Sequence, residues 1–242
     1  TPSGPPPALS PVVTTGAPAG AGTGLVHCKR IGCIYAVMHV HISTLGKCRR
    51  LLAADLFGME LSVSPPDHWG RASELGQFGE GLVVKYLSGK GYRLRYTLTE
   101  QRSVEVIENG ILYVGHPDGD IQHGGETHNL EIKCLGDSRW SLFRDQGVEH
   151  TFPEYRAQTV GYLRCKGENT THFAVMSRDS GRIFETEYAV KDVVAEWRLL
   201  AARIEAVADT IMAGKLPEPD FDGAQFECIV CGLLGVLVWL CV

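Results

Sequence analysis

Apolar positions along the chain switch between helical and extended spacing, and each switch predicts an element. Leu45, Leu51, Leu52 and Leu56 lay a stripe over 43–56 that predicts a helix, with Ser43 placed to cap it. A turn-rich segment, 62–70, follows and contains Pro65-Pro66-Asp67. Leu75, Phe78, Leu82, Val83 and Tyr86 predict a second helix over 73–88, stopped by Gly89 and Gly91. The period then falls to two. Strands are predicted over 92–99, 103–107, 111–114 and 129–134, with Asn109-Gly110 as a hairpin turn. Thr151-Phe152-Pro153-Glu154 supplies a cap, a first-turn proline and an acid, and starts a helix running to about residue 164. A second hairpin pairs 172–177 with 182–188 around Asp179-Ser180-Gly181. The longest helix, 190–213, carries Val190, Val193, Val194, Trp197, Leu200, Ile204, Val207 and Ile211 at helical spacing. Residues 25–42, apolar with His27, His39 and His41, fit either a buried strand or a helix. This order predicts an α/β domain with a mixed central sheet flanked by helices.

The chain has 242 residues, 44% of them hydrophobic and 21% charged, enough for one domain with its own core and short appendages. Lys plus Arg is 23 and Asp plus Glu is 28, a net charge of −5. A globally basic nucleic-acid coat is excluded, whereas a local basic groove is not. Residues 1–24 hold no charged residue, six of the twelve prolines and five glycines, and are expected to be a disordered tail. They lack the positive start of a secretory signal, so a cytoplasmic protein is expected. The longest uncharged apolar run is 228–242, below the ~18–20 residues that span a bilayer, and no membrane partner is expected. The expected layout is a tail over 1–24, a helical segment over 25–72, a core over 73–215 and a cysteine-containing tail over 216–242.

The chemistry concentrates in Gly115-His116-Pro117-Asp118-Gly119-Asp120, followed by Glu131-Ile132-Lys133. On a strand, Glu131 and Lys133 share one face, while Leu130, Ile132 and Cys134 turn inward on the other. Asp118 lies in a Pro-Asp-Gly turn just past the preceding strand and converges on Glu131 if the two strands are neighbours. Two close carboxylates repel unless a cation sits between them. A hard divalent cation takes oxygen ligands and keeps waters, leaving room for a substrate phosphate, and a lysine beside it stabilises developing charge. This is a minimal set for metal-assisted phosphodiester hydrolysis. The competing reading is an exposed, salt-bridged hairpin, because Glu-x-Lys is common on strands.

Asp118 followed by Glu131-x-Lys133 resembles the PD-(D/E)XK nuclease superfamily, with its restriction-endonuclease-like core. Gln158-x-x-x-Tyr162 on the next helix resembles the RecB-like branch, and Gly76-Gln77-Phe78-Gly79-Glu80 resembles the superfamily's first-helix motif. The resemblance implies that Asp118 and Glu131 bind Mg²⁺ or Mn²⁺, with Glu80 as a further metal-side carboxylate. Many RecB-like members carry a histidine near the position of Glu80. Lys133 would activate water or stabilise the phosphorane, and Gln158 and Tyr162 would position the strand.

Eight cysteines are present: Cys28, Cys33, Cys48, Cys134, Cys165, Cys228, Cys231 and Cys241. Cys134 and Cys165 fall on apolar faces and read as core residues. Cys228-x-x-Cys231 supplies half of a tetrahedral thiolate site, for zinc or for an iron–sulfur cluster. Some RecB-like nucleases, including the CRISPR-adaptation exonucleases, carry a [4Fe–4S] cluster on one early cysteine and three late ones. By that resemblance Cys48, Cys228, Cys231 and Cys241 would be the ligands, with Cys28 or Cys33 as substitutes for Cys241. An inert apolar tail is the alternative.

For phosphate contact the sequence offers Arg93, Arg95, Lys133, Arg139, Arg144, Arg156 and Arg164, and for base stacking Trp140 and Phe143. The resemblance implies a DNA exonuclease acting on single-stranded or end-bearing DNA in recombination, repair or CRISPR adaptation, with a protein partner from such a complex. The second reading is a non-catalytic module of the same fold that holds DNA ends.

Overall fold

The structure, a computed structural model, describes residues 25–27, 34–36, 38–57, 67–218 and 220. The expected tail over 1–24, the turn residues 62–66, and Cys28, Cys33, Cys228, Cys231 and Cys241 lie outside the described residues. Strands β1 (Leu25–His27) and β2 (Ile34–Ala36) pair antiparallel and form a unit of their own. A second unit begins at Met38.

Within that second unit, β3 (Met38–His41) is followed by a 3-10 turn over Ile42–Thr44 and by α1 (Arg49–Phe57). The expected helical segment over 25–72 therefore contains strands, and the helix predicted over 43–56 starts six residues late. Next come α2 (Asp67–Gly89), β4 (Arg93–Arg95), β5 (Val104–Glu108), β6 (Ile111–Gly115), β7 (Gly119–His123) and β8 (Glu126–Leu135). Helices α3 (Asp137–Thr151) and α4 (Pro153–Lys166), strands β9 (Thr170–Ser177) and β10 (Ile183–Ala189), and helix α5 (Val193–Met212) complete it.

Several boundaries differ from the sequence expectation for identifiable reasons. Residues 67–70, read as turn, form the first turn of α2. The strand predicted over 92–99 stops at Arg95 because Tyr96 and Leu98 take positive φ, 57° and 54°, which carries the chain out of the ladder. Thr151 does not cap α4. Its hydroxyl donates to the Gly147 carbonyl and closes α3 instead. The long helix begins at Val193 because the Asp192 carboxylate accepts from the Ala195 amide and fixes the start there. The Asn109-Gly110 turn is as predicted: both residues have positive φ, 52° and 79°, and β5 pairs antiparallel with β6 across it.

Two mixed sheets result. One has the order β10-β9-β8-β7-β4, with β8 and β9 parallel and the other pairs antiparallel. The other has the order β3-β6-β5, with β3 and β6 parallel. The alternation along β8 sends Leu130 and Ile132 into a core with Val83, Leu87 and Ile121, beneath α2. The approach is close: a Cβ at Gly79 would overlap Cys134 Sγ and lie 2.7 Å from Met176 Cε. Helix α4 faces the other side of β8 and also joins a larger core through Ala157, Val160 and Leu163, with β3, β6, α1 and α5. Among the described residues no helix is long and apolar enough to cross a membrane.

Candidate nuclease site

Glu131 and Lys133 project from the α4-facing side of β8. Glu131 is 1% exposed. Lys133 Nζ lies 2.5 Å from Glu131 Oε1 as an ion pair, and it donates to Gln158 Oε1 at 3.2 Å. The Tyr155 ring covers the same ammonium at 4.8 Å from its centroid. Both oxygens of Glu131 are buried, and among the described residues Oε2 has no hydrogen-bond partner.

Asp118 arrives from the turn before β7. The β7–β8 ladder runs down to Gly119 opposite Leu130, and beyond that pair the side chain replaces the strand: Asp118 Oδ2 accepts from the Ile132 amide at 2.6 Å. Gly119 makes this possible. Its φ is +150°, and a Cβ there would lie 2.6 Å from Thr97 Cγ2 and 2.8 Å from the Arg95 carbonyl. Tyr162 fixes the same segment from above, donating its hydroxyl to the His116 carbonyl at 3.0 Å and receiving Gln158 Nε2 at 3.4 Å. Gly115 lets Tyr162 in, since a Cβ there would lie 2.8 Å from Tyr162 Cε1.

The electrostatics follow from this crowding. Burial, and then the Glu131 charge, push the Asp118 carboxyl well above its ordinary range. Burial alone would lower Lys133, but the Glu131 and Asp118 carboxylates outweigh it and raise the ammonium above its ordinary value. Glu80 on α2 is raised by burial, lowered by Lys133 and raised by Glu131, so it shares the field of the site. It does not complete a three-donor cluster. Among the described residues the group with three ligand atoms within 4.8 Å of one another is His39, His41 and Asp55. The structure thus brings Asp118, Glu131, Lys133, Gln158 and Tyr162 together and leaves Glu80 at the margin.

The donor set suits a hard divalent cation. The acceptors are carboxylate oxygens only, and among the described residues Glu131 Oε2 is buried with no hydrogen-bond partner while Oε1 meets the Lys133 ammonium. Asp118 and Glu131 would hold such an ion, beside the Lys133 ammonium.

A network around Lys166, beside the site, escaped the sequence reading. Lys166 Nζ lies 2.5 Å from Asp120 Oδ1, 3.2 Å from Asn129 Oδ1 and 3.4 Å from Glu168 Oε1. Asn129, Glu131 and Lys133 form a row on β8, and Lys166, Tyr162 and Gln158 form the facing row on α4. The signal was available: Lys166 continues the i, i+4 spacing of Gln158 and Tyr162 by one more turn.

The stacking assignment fails. Trp140 is 5% exposed and Phe143 is fully buried; both pack with Phe152 and Phe173, and the Trp140 indole donates to the Val175 carbonyl at 2.9 Å. Four of the arginines proposed for phosphate contact are engaged in ion pairs: Arg139 with Glu154, Arg144 with Asp145, Arg156 with Glu196 and Arg164 with Glu108. Among the described residues no disulfide forms: Cys48 is buried, and Cys134 and Cys165 are half-buried.

No protein family matches the sequence, and no curated protein matches it either. Solved structures do match. SSO0001 is 19% identical with a TM-score of 0.53, over 86% of this chain and 90% of that one. LHK-Exo, an alkaline exonuclease from Laribacter hongkongensis, is 17% identical with a TM-score of 0.52, over 74% and 90%. Its complex with dAMP matches at 18% and 0.52, over 72% and 88%. A phage-related exonuclease from Haemophilus somnus 129PT is 15% identical with a TM-score of 0.51, over 73% and 96%. The chain has the fold of these structures, a mixed α/β core shared with the alkaline and phage-related exonucleases.

Proposed function

We propose that the chain is a metal-dependent deoxyribonuclease that removes nucleotides from single-stranded or end-bearing DNA. The observation that carries this reading is the constellation of buried Glu131 with half-buried Asp118 and Lys133 at β8 of a fold shared with exonucleases. Mg²⁺ or Mn²⁺ held by Asp118 and Glu131 would lower the pKa of a bound water and neutralise charge on the scissile phosphate. Lys133 keeps its proton and presents a fixed positive charge where negative charge develops on the phosphate. Gln158 orients that ammonium, and Tyr162 anchors the turn that carries Asp118. Glu80 tunes the field from α2.

The same reading extends to the RecB-like details. Gln158 touches Lys133 and Tyr162, a placement that supports the RecB-like reading. Cys48 stands at the start of α1, where the Arg49 amide and Nε both reach Asp220, at 2.7 and 2.6 Å. That tie holds the chain beside Cys48 eight residues before Cys228, which supports a shared [4Fe–4S] site with Cys228, Cys231 and Cys241. Participation in a recombination, repair or CRISPR-adaptation complex follows from the same likeness.

The test is cleavage of end-labelled single-stranded and double-stranded DNA with Mn²⁺ by anaerobically purified protein, wild type against Lys133→Ala. Mononucleotide release by wild type alone establishes the enzyme. A folded wild-type protein that binds DNA ends and never cleaves them overturns it. The visible absorbance of the same sample reports the cluster.

A further inference from the structure

His39, His41 and Asp55 have no part in the nuclease site. Strand β3 is the edge of its sheet, and its alternation sends Val40 into the core and both histidines to the opposite face. Helix α1 then brings Asp55 across to them. His41 Nδ1 lies 2.6 Å from Asp55 Oδ1. Asp55 Oδ2 accepts from the His41 amide at 2.7 Å and from the Thr44 hydroxyl at 2.6 Å. The carboxylate is therefore fixed on one oxygen and aimed with the other. The His39 ring stands edge-on to His41, with centroids 5.3 Å apart, and among the described residues no hydrogen bond holds it.

We propose that these three side chains bind a transition-metal ion, with Zn²⁺ as the type, that staples β3 to α1. One ligand atom from each lies within 4.8 Å of the other two. Bonds of about 2.0–2.2 Å at tetrahedral angles set donors on one ion about 3.3–3.6 Å apart, so closure needs at most about 1.5 Å of side-chain movement. The ion takes the place of the hydrogen between His41 Nδ1 and Asp55 Oδ1, which leaves to solvent as a proton. The His41 side chain is 50% exposed, so water completes the coordination. Two imidazoles with one carboxylate favour zinc and its neighbours, whereas the all-carboxylate nuclease site favours magnesium or manganese, so the two sites select different ions. Thr44 and the His41 amide act as outer partners that hold the ligating carboxylate in place.

The test uses the full chain, stripped with chelator and titrated with Zn²⁺ in excess Mg²⁺, for wild type, His39→Ala and Asp55→Asn. Both variants are expected to bind one Zn²⁺ fewer per chain and to lose the rise in melting temperature that Zn²⁺ gives the wild type. Substituting Co²⁺ should give a visible band that both variants lose, while any sulfur-to-cobalt absorption from the cysteines persists. Equal zinc stoichiometry and equal thermal shift in all three proteins would overturn the proposal. Nuclease activity with Mn²⁺ is unchanged in His39→Ala, which separates this site from the catalytic reading.

Discussion

The Asp118 carboxylate occupies the place of a strand carbonyl, taking the Ile132 amide at 2.6 Å where the β7–β8 ladder has ended. One hydrogen bond thereby fixes Asp118 between the two functional side chains on either side of Ile132. It also ties the ionisation of Asp118 to the pairing of the two strands.

Asp118→Asn should abolish cleavage yet stabilise the metal-free protein at neutral pH. Burial and Glu131 raise the folded-state carboxyl, so the folded chain holds this proton more tightly than the unfolded one. Its contribution to stability is therefore full below about pH 4, the ordinary carboxylate range, and is lost as the pH rises through the raised value. Asparagine can still accept from Ile132 without the charge. A gain of about 1 kcal/mol, or roughly 2–4 °C, is expected at neutral pH and none in acid. Thermal melts of both proteins across pH, with chelator, check it; added Mg²⁺ should raise the wild type only.

Lys133→Met should cost activity by about 10²-fold or more, because the charge facing the phosphate is gone. It also leaves Glu131 buried and unpaired, which costs about 3 kcal/mol without metal. Divalent cation should restore much of that stability and none of the rate. Because its carboxylate neighbours raise Lys133, the wild-type pH–rate profile should show no loss from this residue below the ordinary lysine range. Denaturant titration with and without Mg²⁺, beside steady-state kinetics, separates the two effects.

Lys166→Met tests the network that continues the row on α4. Asp120 and Glu168 would lose their shared cation, and Lys166 is itself only 10% exposed, so a loss of about 3 kcal/mol is expected. Adding Asp120→Asn should recover part of it, a coupling that a double-mutant cycle measures directly.

Trp140→Ala separates core from stacking. A core role predicts a loss of about 3–5 kcal/mol, with DNA affinity of the remaining folded protein unchanged. Urea melts and a DNA-binding isotherm distinguish this from a weaker-binding but equally stable variant.

Most of the strand chemistry was legible because period two alone separates Glu131 and Lys133 from Leu130 and Ile132. The Asn109-Gly110 turn was legible for the same local reason. Strand β7 was missed because Ile121 is the one strongly apolar residue in Gly-Asp-Ile-Gln-His. Helix α3 was missed because Gly147, at φ 73°, breaks its apolar spacing between Phe143 and Val148. That omission explains the misreading of Trp140 and Phe143: without the helix, nothing placed them inward. The i, i+4 spacing places Lys166 on the face of Gln158 and Tyr162, but its partners lie 37 and 46 positions away and that spacing does not name them.

Helix α4 carries the site on one side and a shared core on another. Gln158, Tyr162 and Lys166 face β8, while Ala157, Val160 and Leu163 anchor the second sheet and α5. A segment held from both sides cannot open on its own without exposing that core. Its amides should therefore exchange hydrogen for deuterium only at the rate set by global unfolding, so the positioning groups stay as rigid as the protein is stable. On the proposed nuclease reading, any motion in turnover is expected from elements other than α4.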